Sequence, residues 1–152
     1  MENWLYGDKR IENISDFPEG TFGFIYITTH EPSGKSYIGK KSLYHNVKKK
    51  LTKKELAEQP TTRGRKSLTT TVQKESDWKT YYGSAKPIVE LIKQGKQKDF
   101  IRKILYLAPN KKLLTYYECK YLFKYEVLEK PEEWLNDNIL GKFYTKDFEI
   151  LN

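Results

Sequence analysis

The chain has 152 residues, enough for one domain and too few for two ordinary ones, and 32% charged against 38% hydrophobic residues makes it polar. Its twelve tyrosines and seven phenylalanines can still fill a compact core, which argues against a disordered chain. One cysteine, Cys119, excludes an intrachain disulfide or a zinc ribbon; no run approaches the roughly 20 apolar residues of a membrane helix; and Met1 to Arg10 carries no signal-like apolar stretch, so an intracellular setting away from membranes is expected.

Residues 1–20 read as an irregular lead-in closed by the turn Asp16-Phe17-Pro18-Glu19-Gly20. Thr21 to Thr29, β-branched and aromatic, predicts a strand; His30 to Lys35 holds turn chemistry in Glu-Pro-Ser-Gly; and Ser36-Tyr37-Ile38-Gly39 resumes a strand, completing a β-hairpin. Between Lys40 and Lys66 ten basic residues face only Glu55 and Glu58, so this segment carries the chain's entire +8 excess. A local basic segment on a balanced body is the footprint of a polyanion binder. Within it Lys49 to Gln59 predicts a short helix, with Thr52 and Glu55 as a capping box, and Pro60 to Lys74 predicts an exposed loop. Pro87 to Gln94 reads as a helix closed near Gly95, Phe100 to Leu107 as a third strand, and Lys111 to about Leu128 as a longer helix. The expected fold is α/β: a small, mainly antiparallel three-stranded sheet flanked by helices. One domain spans 1–152, with a basic, DNA-contacting insertion at 43–77 after the hairpin and a C-terminal tail at 129–152. There is no glycine-rich nucleotide loop, so no small-molecule cofactor is expected.

On the last helix Leu114, Tyr117, Tyr121, Leu122, Tyr125 and Leu128 share one face at about 100° per residue, and Glu118 falls inside that stripe. A carboxylate there is desolvated unless it is paired or binds a metal. The bland account is a glutamate held by tyrosine hydroxyls; Glu126, at the stripe's edge, is the lesser candidate. On the hairpin, Tyr26 and Tyr37 lie ten residues apart on neighbouring strands, placed to project from one side of the sheet; two ordinary sheet tyrosines are the bland account.

The string Gly23-Phe24-Ile25-Tyr26-Ile27, followed by Tyr37-Ile38-Gly39-Lys40, resembles the two-part signature of GIY-YIG nucleases, with Phe-Ile-Tyr in place of Gly-Ile-Tyr and the second element intact. Glu118 falls where the family carries a helical glutamate, and Asn136 or Asn138 stands where it carries a polar Asn. Trp78 and Tyr81-Tyr82-Gly83-Ser84 resemble a segment of small phage-type members, so the likeness spans roughly residues 21 to 140. It implies hydrolysis of DNA with one Mg²⁺ or Mn²⁺ per active site. Glu118 would hold the metal, Tyr26 take the water's proton as a phenolate favoured by nearby lysine, Tyr37 orient that water or a phosphate oxygen, Lys40 stabilise the added negative charge, and Asn138 supply the polar Asn. One departure is the arginine that the family places soon after the second element: none occurs before Arg63. Lys40 is the first substitute, Arg65 the second, and His45 an outlying candidate base. Lys41, Lys48, Lys49, Lys50, Arg63, Lys66, Tyr82 and Ser84 are the expected DNA contacts, and the protein would act as monomer or homodimer. The rival accounts are a binding module of the same fold without activity, an RNA-binding protein, and a structural phage protein.

Overall fold

A computed structural model of the chain describes residues 3–58 and 68–148. In chain order the strands and helices are β1 (Trp4–Tyr6), β2 (Lys9–Ile11), β3 (Gly23–His30), β4 (Lys35–Ser42), β5 (Tyr44–Lys50), α1 (Lys53–Ala57) and β6 (Thr69–Glu75). They continue with α2 (Lys86–Lys93), β7 (Phe100–Ala108), α3 (Lys111–Lys124), β8 (Asn138–Ile139) and β9 (Phe143–Tyr144). The chain divides into two compact units, one from Met1–Leu43 and Asp77–Asn152, the other Tyr44–Ser76.

The first unit is built on a sheet of order β2-β1-β7-β3-β4. It is antiparallel except where β1 runs parallel to β7. The sheet therefore has five strands where the sequence predicts three. The lead-in is a hairpin, with Gly7-Asp8 between two three-residue strands too short to show a periodicity. Tertiary packing holds it: Trp4 stands edge-on to Phe24 and Tyr26 at ring separations of 4.9 and 5.2 Å. Each such contact contributes about 0.5–1.5 kcal/mol beyond the area it buries. Phe17 and Trp78 complete this aromatic cluster.

The strands carry different residues on their two faces. Phe24, Tyr26 and Thr28 alternate along one face of β3, and Tyr37 and Gly39 of β4 lie opposite Thr28 and Tyr26 on that face. Ile25 and Ile38 belong to the other face, where they pack with Leu114 and Leu122 of α3 and with Val127 and Leu128. Asn110 caps α3, accepting the Leu113 N–H at 2.9 Å. The helix ends at Lys124, short of the predicted Leu128. Glu126 takes a left-handed φ of 52°, and Val127 N–H returns to Leu122 O at 3.3 Å. This stop sends Val127 and Leu128 into the core, a reward that continued helix would forgo. Helix α2 begins with Pro87 in its first turn and closes at Gly95, much as predicted.

The second unit is an antiparallel hairpin, β5 on β6, running from Tyr44↔Glu75 to Lys50↔Thr69. Lys49 and Lys50, predicted helical, are in β5, and 69–74, predicted as loop, are in β6. The cross-strand ladder outweighs the weak local signal of a lysine and threonine run. Thr52 and Glu55 do form the capping box that starts α1. No described helix is long and apolar enough to cross a membrane.

Candidate active site

Strand β4 is a sheet edge, and an edge leaves every second N–H and C=O unpaired. Three outward positions of β4 are each met differently. Ser36 exchanges backbone bonds with Glu133 and Leu135 at 3.0 and 2.8 Å. Ile38 is clamped by Asn136, whose Oδ1 accepts the Ile38 N–H at 3.1 Å and whose Nδ2 donates to the Ile38 carbonyl at 2.8 Å. The Lys40 N–H donates to the Glu118 carboxylate. The Glu118 carboxylate thus lies against the backbone of the second tyrosine element.

Burial raises the pKa of Glu118, while the Lys40 charge and that hydrogen bond act in the opposite direction. The Lys40 ammonium itself donates to Thr115 Oγ1 at 3.1 Å, one turn before Glu118. A half-buried carboxylate with a raised pKa and an open side is a group that a cation would relieve.

Tyr26 and Tyr37 approach with ring centroids 6.3 Å apart. Gly39 permits this: a Cβ there would lie 2.5 Å from the Tyr26 hydroxyl and 3.0 Å from the Tyr37 ring. Gly83 plays a second such part, with a φ of 140° and room for a Cβ only 3.1 Å from Tyr37. The Tyr37 hydroxyl is 2.7 Å from Ser84 Oγ. Burial raises its pKa, opposed by that hydrogen bond, and the charges of Glu118 and Asp137 push the same way as burial.

A cavity of about 420 Å³ collects Tyr37, Ser84, Lys86, Glu118, Asp137 and Asn138 on its walls. Lys86 and Ser84 stand at the start of α2, whose N-cap, Ala85, has no side chain to satisfy the first N–H groups. The Tyr81–Ser84 segment is held from beneath. Buried Arg102 donates to the carbonyls of Lys79 and Tyr81 at 3.0 and 2.7 Å and stacks on Tyr82, and Thr28 Oγ1 donates to the Tyr82 carbonyl at 2.7 Å.

The structure brings Tyr37, Glu118, Ser84 and Asn138 to one cavity, with Lys40 behind Glu118. Tyr26 adjoins Tyr37 but is fully buried and hydrogen-bonded to Tyr81, and burial raises its pKa well above the usual tyrosine value. The phenolate expected there is opposed by this environment. Lys40 does not line the cavity as the stabiliser of phosphate charge; its ammonium serves Thr115 and Glu118. Lys41 pairs with Asp77 and lies over the Tyr81 ring, and Tyr82 is a core residue against Phe100 and Arg102, so neither presents itself to DNA as expected. Lys48, Lys49, Lys50 and His45 are exposed on β5 of the second unit. Arg63, Arg65 and Lys66 lie outside the described residues. Glu126 forms the helix stop and lines a separate apolar cavity.

Sequence reasoning misses Lys86, Asp137 and Arg102. Ala85-Lys86-Pro87 carries a signal, because proline in the first turn puts Lys86 at a helix start. Asp137 is concealed within Asn136-Asp137-Asn138, which reads as a turn; an arginine inside a strand reads as solvated.

A hairpin that brings two tyrosines together under one helical glutamate, beside a polar cavity, defines a GIY-YIG-type nuclease domain. Residues 4–139 match the family model described as "Putative endonuclease segE, GIY-YIG domain", and the chain belongs to that family. No curated protein and no solved structure matches the chain.

Proposed function

We propose that the protein is an endonuclease that hydrolyses DNA phosphodiester bonds at the Glu118–Tyr37 cavity with one divalent metal ion. The observation that carries this is the convergence of a half-buried carboxylate, a tyrosine hydroxyl, a serine and a lysine on one open polar cavity. The residues suit a hard cation. Glu118 supplies a desolvated oxygen donor, and Asp137 and Asn138 line the same cavity. Mg²⁺ and Mn²⁺ at such sites retain several waters and take the rest of their ligands from phosphate.

When bound, the cation supplies Lewis acidity toward the phosphate and lowers the pKa of nearby water. Glu118 would hold it, with the Lys40 charge and N–H opposing the rise that burial imposes on its pKa. Ser84, Lys86 and the open start of α2 receive phosphate oxygens and offset the charge that builds in the transition state. Lys86 thus replaces the arginine that the motif lacks. Tyr37, neutral under its raised pKa, orients the attacking water through its hydroxyl, and Tyr26 holds the Tyr37 ring in place from the buried side. The water oxygen bonds to phosphorus as the bond to the 3′ oxygen breaks; the water's proton passes to solvent in the open cavity, and the 3′ oxygen takes one up from solvent. One site cuts one strand, so a double-strand break requires two copies or two encounters.

Supercoiled plasmid incubated with Mg²⁺ or with EDTA, for wild type and Glu118→Gln, tests the assignment. Metal-dependent nicking by wild type alone is expected. A folded wild type that shifts duplex DNA on a gel but never cuts it overturns the enzymatic reading and favours a binding module of the same fold.

A further inference from the structure

The β5–β6 hairpin has two chemically different faces. Residues opposite one another in an antiparallel ladder share a face, and faces alternate along it. One face carries His45 with Lys74, Val47 with Val72, and Lys49 with Thr70. The ladder continues through Leu51 N–H to Leu68 O at 3.1 Å, which adds leucines beyond the Lys49–Thr70 pair. The other face carries Tyr44 opposite Glu75 at the base of the ribbon, then Asn46 opposite Gln73, Lys48 opposite Thr71, and Lys50 opposite Thr69. Asn46, Gln73, Lys48, Lys50 and Thr71 are all exposed.

Beyond the Tyr44–Glu75 pair, that second face combines carboxamides with lysines. Asn46 and Gln73 are carboxamides side by side, each able to bond an adenine's N6 and N7 together. Lys48 and Lys50 repeat every second residue, about 6.6 Å along the strand, close to the roughly 6.8 Å rise of two base-pair steps. A two-stranded ribbon also matches the major groove, about 12 Å wide, into which such ribbons fit. Solubility alone would not require two amides in register with a lysine ladder on one face.

We infer that the Asn46–Gln73 face of this hairpin enters the major groove of duplex DNA and reads sequence, with Lys48 and Lys50 fixing it on the flanking phosphates. This deepens the nuclease reading and rests on it: the cavity cuts, and the hairpin biases where. The preferred step contains adenine, because the bidentate carboxamide pairing selects adenine over the other bases.

The test uses the full chain in EDTA, so that nothing is cut, with a pool of randomised duplexes at 150 mM salt. Wild type is expected to enrich a short adenine-containing motif. Asn46→Ala with Gln73→Ala should flatten that motif, losing roughly tenfold preference per position, while still binding duplex DNA. Replacing the motif's adenines by 7-deaza-adenine should weaken wild type about tenfold and the double variant hardly at all. Lys48→Ala with Lys50→Ala should instead lower affinity for every sequence and reduce the salt slope by about 2. The inference is overturned if wild type enriches no motif or if the motif survives loss of both amides. Plasmid cleavage in Mg²⁺ by the same proteins separates the two claims. Cutting with an unchanged motif sinks the hairpin assignment alone, and absence of cutting by wild type sinks the nuclease reading.

Discussion

The two units of this chain organise their polar residues in opposite ways. In the sheet unit several polar groups have fixed partners: Asn136 on Ile38, Lys41 on Asp77, Arg102 on two carbonyls, Glu118 on the Lys40 N–H. In the hairpin unit no described residue is buried, and the lysines of β5 stand out in solvent. Chemistry on a phosphate needs groups held within a fraction of an ångström, which only packing provides. Attraction to a polyanion needs charge at long range, and an exposed ribbon supplies it with no core at all.

Substitutions in the sheet unit should therefore change turnover, and those in the hairpin unit affinity. The sharpest case is Glu118→Gln, expected to lower cleavage at least 10³-fold with DNA binding kept within about twofold, read by plasmid nicking and gel shift. The same change should raise the melting temperature of the metal-free protein by about 1–3 °C at neutral pH. The sign follows from burial. Because folding raises the Glu118 pKa, its contribution to stability is full below its unfolded pKa and is lost as pH rises through the folded value.

Tyr37→Phe should lower kcat about 100-fold with little change in stability, since it removes the hydroxyl that faces the cavity. Tyr26→Phe should cost about 1 kcal/mol of stability and less activity, because its hydroxyl is buried on Tyr81. Denaturant melts and single-turnover rates on both variants decide this; the reverse ranking would return the proton-accepting role to Tyr26. Lys48→Ala with Lys50→Ala should weaken binding roughly tenfold at 150 mM salt and leave the melting temperature and single-turnover rate unchanged. A fall in the saturated cleavage rate would break the division between units.

The mildest effect is on pH dependence. Cleavage needs Glu118 ionised, so the acid limb of the rate should lie above an ordinary carboxylate's and move to lower pH as Mg²⁺ is raised, because metal and proton compete for the same oxygens. Lys40→Met should move it upward, since the Lys40 charge holds the Glu118 pKa down.

The elements with strong local signals were legible in advance. The hairpin β3–β4, helix α2 and strand β7 follow from their β-branched runs, the proline start and the glycine stop, and the capping box at Thr52 was readable as well. Glu118 was legible as a misfit, a carboxylate inside an apolar helical stripe. The three-residue strands β1 and β2 were not, because their stability comes from Trp4 meeting an aromatic cluster assembled from distant parts of the chain.

The sequence by itself therefore determined the hairpin, the tyrosine pair and the helix that carries the glutamate, since each is set by local periodicity and turn chemistry. Only the tertiary structure decided which of them face the cavity. It buried Tyr26 and left Tyr37 on the cavity wall, drew Lys40 and Lys41 into internal partnerships, and brought Lys86 and Asp137 to the cavity that Glu118 lines. Exposure and pairing of a polar side chain depend on what the rest of the chain packs against it, and no local pattern encodes that.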